Sequence, residues 1–545
     1  MRGRSLLAAL AAAASVFLFS VSILPPSFAQ DTPAEEVDDP NAGGPASAEE
    51  GAQAASTSEA AAPEEATQPA PGASPLVMSI RTKLAAPGFA GDAAPQDISA
   101  LIAFYNARTE TLWMTDMGFS KEAQAAIDEI HKADDWGLSS AAFDLPAAGM
   151  LPDSLYEQAV GEIKLAFAIL KYARHARGGR IDPDKLKNVD LKPALADPRA
   201  VLSEIAAAPE PNLYLQSLHP THEQFKRLHQ ALLKARAESE AGGNPRNVQK
   251  ILLNMERWRW MPQNLGALHV WLNVPEFMVY IVKDGRTIHS ERIVVGKPVY
   301  ATPVFSADLK SIVFNPEWTV PSTIIREDLL PRLRGGGGFF GGNTSILKKH
   351  KLYVKYNGRR VDPGSIDWNR VNMGAISFHQ DPGPTNVLGK VKFLYPNRHS
   401  VYMHDTIKRE LLKREVRVEG HHCPRVSNPG KVAAVILAEN KGMPASEIDK
   451  LLAKGHNSAV TINGRVPVHT TYFTAKIDEE GKLVSFADIY GMDGPATSAV
   501  FGRQVKSEAV ADNAETAPAQ PKPRPAKPRT ASSPPPSPGF GGAIP

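Results

Sequence analysis

The sequence predicts an α+β protein in which a helical region is followed by a mostly β region with peripheral helices. Three observations carry this. From about Asp97 to Gly243 apolar residues recur at three- and four-residue steps, the spacing of one helix face. After Trp260 the pattern changes to period two, with turn dipeptides such as Asp284-Gly285 and Glu480-Gly481 between the apolar runs. The stretch between two low-complexity ends, about 420 residues, is long enough for two hydrophobic cores.

The chain opens with Arg2 and Arg4, an apolar run from Leu6 to Leu24, and Ser27-Phe28-Ala29, a small-x-small cleavage pattern. Residues 1–29 therefore read as a secretory signal peptide. An uncleaved anchor is the alternative and would be the only attachment to a membrane. Either way the remainder is expected outside the cytoplasm. Asp31 to Pro75 holds ten acidic residues and no Lys or Arg, and 30–96 is expected to be a disordered acidic linker. Residues 496–545 are expected to form a disordered basic tail, with ten prolines from Pro518 onward. The opposite charges of the ends leave a net charge of only +3, and no nucleic-acid partner is expected.

A helical domain is expected over 97–245. Val160, Ile163, Phe167 and Leu170 suggest one apolar face, with Lys164 and Lys171 elsewhere on the wheel, and Ser120–His131 and Pro220–Arg236 repeat the pattern. His219, His222 and His229 lack the spacing of a ligand set and read as packing or surface residues. One more helix, Val248–Trp260, leads into a second domain over 248–495. Its expected strands are 268–274, 277–282, 287–295, 311–314, 400–403, 459–462 and 468–477, with helices at 323–333 and 429–440.

Cys423 is the only cysteine and lies in Gly420-His421-His422-Cys423-Pro424-Arg425, nineteen residues after His404. An exported chain gains little from an unpaired thiol, so a lone Cys among imidazoles points to a catalytic nucleophile. Nearby cations would raise its thiolate fraction.

Several strings, in order, resemble one family: Asn254 to Pro262 (NMERWRWMP), Val295-Gly296-Lys297-Pro298, Thr302-Pro303-Val304-Phe305, Val313 to Pro321 (VFNPEWTVP), Gly383 to Gly389 (GPTNVLG) and Tyr402-Met403-His404-Asp405-Thr406. They look like the large periplasmic L,D-transpeptidases, which join an N-terminal scaffold domain to a YkuD-type catalytic domain. The resemblance implies acyl transfer on peptidoglycan stem peptides, forming 3→3 crosslinks through a thioester on Cys423. In that role His404 is the general base, Gly420, His421 and His422 form the oxyanion loop unless His421 or His422 instead lies near the thiol and helps to activate it, and Arg425 supports the loop or meets a substrate carboxylate. Tyr402, Trp318 and His379 would meet substrate. By its position in the family pattern the glycine-rich Gly335–Gly342 stretch would be a cap loop over the cleft; it lacks the Gly-Lys-Ser/Thr ending of a phosphate loop, so nucleotide binding is not expected. Trp368 is either a second aromatic contact or core. No cofactor and no metal are implied, and an envelope protein is an alternative acceptor.

Three positions depart from the family pattern. His422 stands where glycine usually precedes the nucleophile, so the oxyanion loop would be strained if that position required φ > 0. His379 stands where Arg is common, and the short Arg236–Val248 link leaves no room for an inserted wall-binding module. Rival readings are a catalytically impaired wall-binding protein, an L,D-carboxypeptidase that uses water, and a zinc site built from His404, His421 or His422, and Cys423. The zinc site is disfavoured because adjacent ligands are hard to direct to one tetrahedron.

Overall fold

The computed structural model describes residues 70–86, 89, 93–147, 152–242, 244–335 and 343–502. The expected signal peptide, nearly all of the Gly335–Gly342 stretch and the proline-rich end lie outside these residues. Among the described residues no helix is long and apolar enough to cross a membrane.

Eight helices come first: α1 (Pro75–Ala85), α2 (Pro95–Asn106), α3 (Lys121–His131), α4 (Leu155–Gly178), α5 (Pro198–Ala207), α6 (Pro211–Ser217), α7 (Glu223–Glu240) and α8 (Pro245–Arg259). The linker expected to reach residue 96 is thus too long. Helix α1 lies inside it, starts at the side-chain cap of Ser74, and buries Val77 and Ile80. At the other end a helix, Asp493–Phe501, overlaps the expected tail.

Helix α4 differs from the expected one-faced helix. Ile163 and Leu170 are buried as expected, with Ala159, Ala166 and Ala173 on the same side, but so are Leu165, Ala168, Ile169 and Tyr172 on other sides, so the helix is buried around much of its circumference. It also carries the buried Glu162. The Glu162 carboxylate accepts from Tyr105 Oη (2.7 Å) and from the backbone amides of Leu112, Trp113 and Met114, which fixes the 111–119 loop. Ser120 caps α3 through the Ala123 amide.

Of the two large cores, one ends at Leu218 and the other takes up the chain from Phe225, upstream of the boundary expected at 245, with Val189 and Leu191 already joining the second. Phe225, Leu228 and Leu232 of α7 and Ile251 and Met255 of α8 pack with the β sheet instead of with α1–α6. Helix α8 explains much of the NMERWRWMP string. The buried Asn254 side chain accepts from the Thr474 and Ala475 amides at 2.9 and 3.2 Å. Arg257 reaches Asp493 at 2.7 Å, and Arg259 donates to the Trp136 carbonyl at 2.6 Å. These bonds tie the helical region to the sheet. His219 packs, with Trp136 stacked between it and His229 at centroid distances of 4.4 and 4.0 Å.

The sheet has eleven strands in the order 458–461, 311–314, 391–394, 403–404, 425–426, 286–294, 278–283, 268–273, 467–471, 304–308 and 189–190. The last strand, Val189–Asp190, comes from the helical region and pairs in parallel with Val304 and Phe305. The expected strands 268–274, 277–282, 287–295, 311–314 and 459–462 are present within a residue or two. The expected 468–477 strand is two, Pro467–Thr471 and Ala475–Ile477, and the 400–403 strand shrinks to Met403–His404.

The described residues between 318 and 380 build a separate layer, called the cap layer below, with a four-stranded sheet: Arg359–Val361, Leu352–Tyr356, Ile376–Gln380 and Trp318–Thr319. Its own core includes Leu333, Val354, Phe378 and the fully buried Trp368, whose indole donates to the Pro363 carbonyl. Trp368 is therefore core. The helix expected at 323–333 is present but broken by a π turn at Ile325–Leu329. Pro331 has no N–H to offer the Glu327 carbonyl, and the Leu330 amide bonds back to Ile325 instead.

Candidate active site

Three short strands assemble the site. Val391–Leu394 runs antiparallel to Met403–His404, with Lys392 opposite His404. Met403–His404 in turn runs parallel to Arg425–Val426, with His404 opposite Arg425. The His404 amide donates to the Pro424 carbonyl at 3.1 Å, so Cys423 ends its loop directly beside the His404 strand. Nineteen residues separate the two in sequence; the parallel pairing sets Pro424 and Arg425, the residues that follow Cys423, against His404.

The loop before Cys423 is held from behind. Thr302 is fully buried, and its hydroxyl accepts from the Gly296 amide (3.0 Å) and donates to the His422 carbonyl (2.7 Å). Tyr490 donates to the Gly296 carbonyl at 2.7 Å and accepts from the Thr302 amide at 3.2 Å. The Lys297 amide donates to the Gly420 carbonyl at 3.2 Å. Gly296 is needed because a Cβ there would lie 2.0 Å from the Tyr300 carbonyl oxygen. The Val295-Gly296-Lys297-Pro298 and Thr302-Pro303 strings thus form the backing of the nucleophile loop.

The strain expected at His422 is absent. Between 417 and 425 the one left-handed residue is Gly420, at φ 78°, and His422 is not among the residues with positive φ. The left-handed backbone selects glycine there, and a Cβ at 420 would also displace the Arg425 guanidinium, whose terminal nitrogen it would meet at 2.3 Å. His422 Nδ1 lies 2.8 Å from the Ala301 carbonyl and donates to it, which makes the ring an anchor. His421 packs against Tyr300 with ring centroids 4.1 Å apart and the planes tilted by 38°, and its Nε2 is buried without a partner among the described residues. Tyr300 in turn donates to Glu327 of the cap layer at 2.9 Å. Among the described residues the amides of His422 and Cys423 have no acceptor.

Cys423 is half-buried. Burial pushes its thiol up to about 11, against the pull of a backbone hydrogen bond from Tyr402 and the charges of Lys392 and Arg425. His404 is buried, and desolvation, with Arg425 and Lys392 adding to it, depresses its imidazole to about 3, while a backbone hydrogen bond with Asp405 opposes. Near neutral pH the resting pair is therefore thiol and neutral imidazole, not a preformed ion pair. Among the described residues His404 Nδ1 is buried and has no hydrogen-bond partner.

Tyr402 joins the site: its ring lies 5.8 Å from that of His404, and Trp318 of the cap layer hydrogen-bonds to it. His379 does not join these contacts. It is buried in the cap sheet, with Nδ1 2.7 Å from Glu317, Nε2 2.8 Å from Ser377 Oγ, and its ring stacked on Tyr353. Arg425 lies against Gly420, with Glu419 the main charge opposing its desolvation, so it supports the loop. Sequence reasoning missed Lys392, Thr302 and Tyr490. Thr302 was within a recognised string, while Lys392 was hidden in a strand that went unrecognised. Among the described residues no group of three or more His, Cys, Asp or Glu side chains is placed to hold a metal ion.

Comparison with known proteins agrees with this arrangement. Residues 99–232 match the Scaffold domain family, and residues 267–436 match YkuD, the L,D-transpeptidase catalytic domain family. A Haemophilus influenzae protein named "Putative L,D-transpeptidase" is 33% identical over 248 residues, which are 45% of this chain and 48% of that protein. The chain spans about half the length of this curated relative.

Proposed function

The chain joins a scaffold domain to an L,D-transpeptidase catalytic domain of the YkuD family, and from that premise we propose that it forms 3→3 crosslinks between peptidoglycan stem peptides outside the cytoplasm. The observation that carries the reading is the half-buried Cys423 beside His404, whose Nδ1 is buried and unpartnered.

Cys423 attacks the carbonyl on the L-centre of the third-position diamino acid. Because thiol and imidazole both rest neutral, the thiol proton moves to His404 as the S–C bond forms. The His422 and Cys423 amides, free of other acceptors, are the donors available to the oxyanion. Collapse breaks the C–N bond, and His404 returns the proton to the departing amine, so that D-alanine leaves and a thioester remains. The side-chain amine of a second stem then attacks the thioester. It gives its proton to His404, the C–S bond breaks, and the proton returns to sulfur, restoring the thiol. The sequence of Arg2 to Ala29 supports export to the periplasm.

Incubation of the purified protein with a disaccharide tetrapeptide, followed by mass spectrometry, tests this. A crosslinked dimer with loss of D-alanine, absent for Cys423→Ala, is expected. Tripeptide as sole product would make the protein an L,D-carboxypeptidase. Neither product and no thioester would leave a wall-binding role.

A further inference from the structure

We propose that Lys392 reads the terminal carboxylate of the donor peptide and so restricts acylation to chains that end one residue beyond the bond attacked. The inference rests on the transpeptidase reading and adds to it a specificity-determining residue.

Lys392 projects from Val391–Leu394, the strand that faces His404, and stands opposite His404 itself. Its ammonium lies 4.1 Å from the centroid of the Tyr402 ring. It is close enough to Cys423 and His404 to influence the charge of both. Among the described residues it forms no ion pair and no hydrogen bond. Comparable cations in this protein are matched: Arg257 by Asp493 at 2.7 Å, Lys355 by Glu317 at 3.3 Å, Arg398 by Asp190 at 2.6 Å. A half-buried ammonium without a carboxylate is costly, and the Tyr402 ring face compensates only in part. The missing element is an anion that arrives with the substrate.

The donor brings one. Its last residue carries a carboxylate on the carbon bonded to the scissile nitrogen, so that anion approaches the thiol together with the carbonyl under attack. Arg425 is not free to meet it, because its guanidinium lies against Gly420 and faces Glu419. The acceptor amine is cationic before it loses its proton, and Lys392 would repel it. The same ammonium therefore separates donor from acceptor within one cleft. After acylation the anion departs with D-alanine, which clears the site for the second stem.

The test compares a disaccharide tetrapeptide with the same compound ending in D-alanine carboxamide, reading thioester formation on Cys423 by mass spectrometry. A charge-assisted contact corresponds to a preference of about 10- to 100-fold in kcat/KM for the carboxylate in the unaltered protein. Lys392→Met and Lys392→Gln should bring that ratio near one, chiefly through KM for the carboxylate substrate, and Lys392→Arg should restore it. Two uncharged variants guard against a folding defect in either, and alkylation of Cys423 by iodoacetamide checks that the site remains assembled. Retention of the preference in both variants would overturn the proposal. So would an equal loss on both substrates accompanied by a shifted pH midpoint of alkylation, since Lys392 would then act on the thiol alone. Equal acylation by both substrates in the unaltered protein would sink this proposal and leave the transpeptidase reading standing. No thioester with either substrate would bring down both.

Discussion

A 2.7 Å hydrogen bond from the buried Thr302 hydroxyl to the His422 carbonyl ties the nucleophile loop to a segment 120 residues away. The same hydroxyl accepts from the Gly296 amide, so one side chain fixes two backbones at once. Thr302→Val keeps the shape and leaves a buried carbonyl and a buried amide unpaired. We expect a loss of about 2–4 kcal/mol in stability and a larger fall in acylation rate, with Thr302→Ser close to the parent. Urea unfolding together with thioester formation would check both. Unchanged acylation in Thr302→Val would mean that the loop is held by other contacts.

Asn254 is the corresponding weld between helix α8 and the sheet. Its side-chain oxygen accepts from two buried amides, Thr474 and Ala475. Asn254→Ala should cost roughly 2–4 kcal/mol and lower the urea midpoint while leaving the Cys423 contacts in place. A midpoint equal to that of the parent would show that water satisfies both amides.

Much of this architecture was legible in the chain, and the parts that were not have physical reasons. Strands 268–273, 278–283 and 286–294 show themselves through short apolar runs closed by Asp284-Gly285, a local signal. The cap sheet does not, because Leu352–Val354 is buried without alternation and its partner Ile376–Gln380 also packs on a private core. Cys423 and His404 stand out by residue type, whereas Lys392 is an ordinary lysine until strand pairing sets it opposite His404. The position of the loop's left-handed residue, Gly420 instead of 422, follows from the fit against Arg425 and has no signature in composition.

The pH response follows from the two depressed and raised groups. His404 titrates near 3 in the folded chain against about 6.5 unfolded, so between those values the unfolded state binds more protons. Stability rises with pH through that window and is lost as pH falls from about 6.5 toward 3. Cys423 has the opposite sense: with its thiol at about 11, the folded state holds its proton longer, and stability falls as pH rises above about 8.5. His404→Gln should remove part of the acid loss, on the order of a few kcal/mol at most, seen as a flatter plot of Tm between pH 3 and 6. His175 and His469, also neutral when folded, should leave a residual slope. An unaltered profile in His404→Gln would show that His404 is not held neutral. Iodoacetamide should alkylate Cys423 slowly at neutral pH and faster toward pH 11 in the parent.

The glycine usual before the nucleophile is replaced here, yet the conformational demand sits two residues earlier. His422→Gly should therefore gain nothing, and should slow acylation by removing the anchor from Nδ1 to the Ala301 carbonyl. Gly420→Ala should be far more damaging, because the new methyl meets Arg425 at 2.3 Å and the left-handed backbone adds about 1–2 kcal/mol. Combining Gly420→Ala with Arg425→Ala relieves the contact and not the backbone cost, so recovery should be partial. Comparing thioester formation across the four proteins separates the terms. Full recovery in the double variant would assign the whole defect to the Arg425 contact, and a benign Gly420→Ala would mean that the loop can adopt another conformation with Cys423 still in reach of His404.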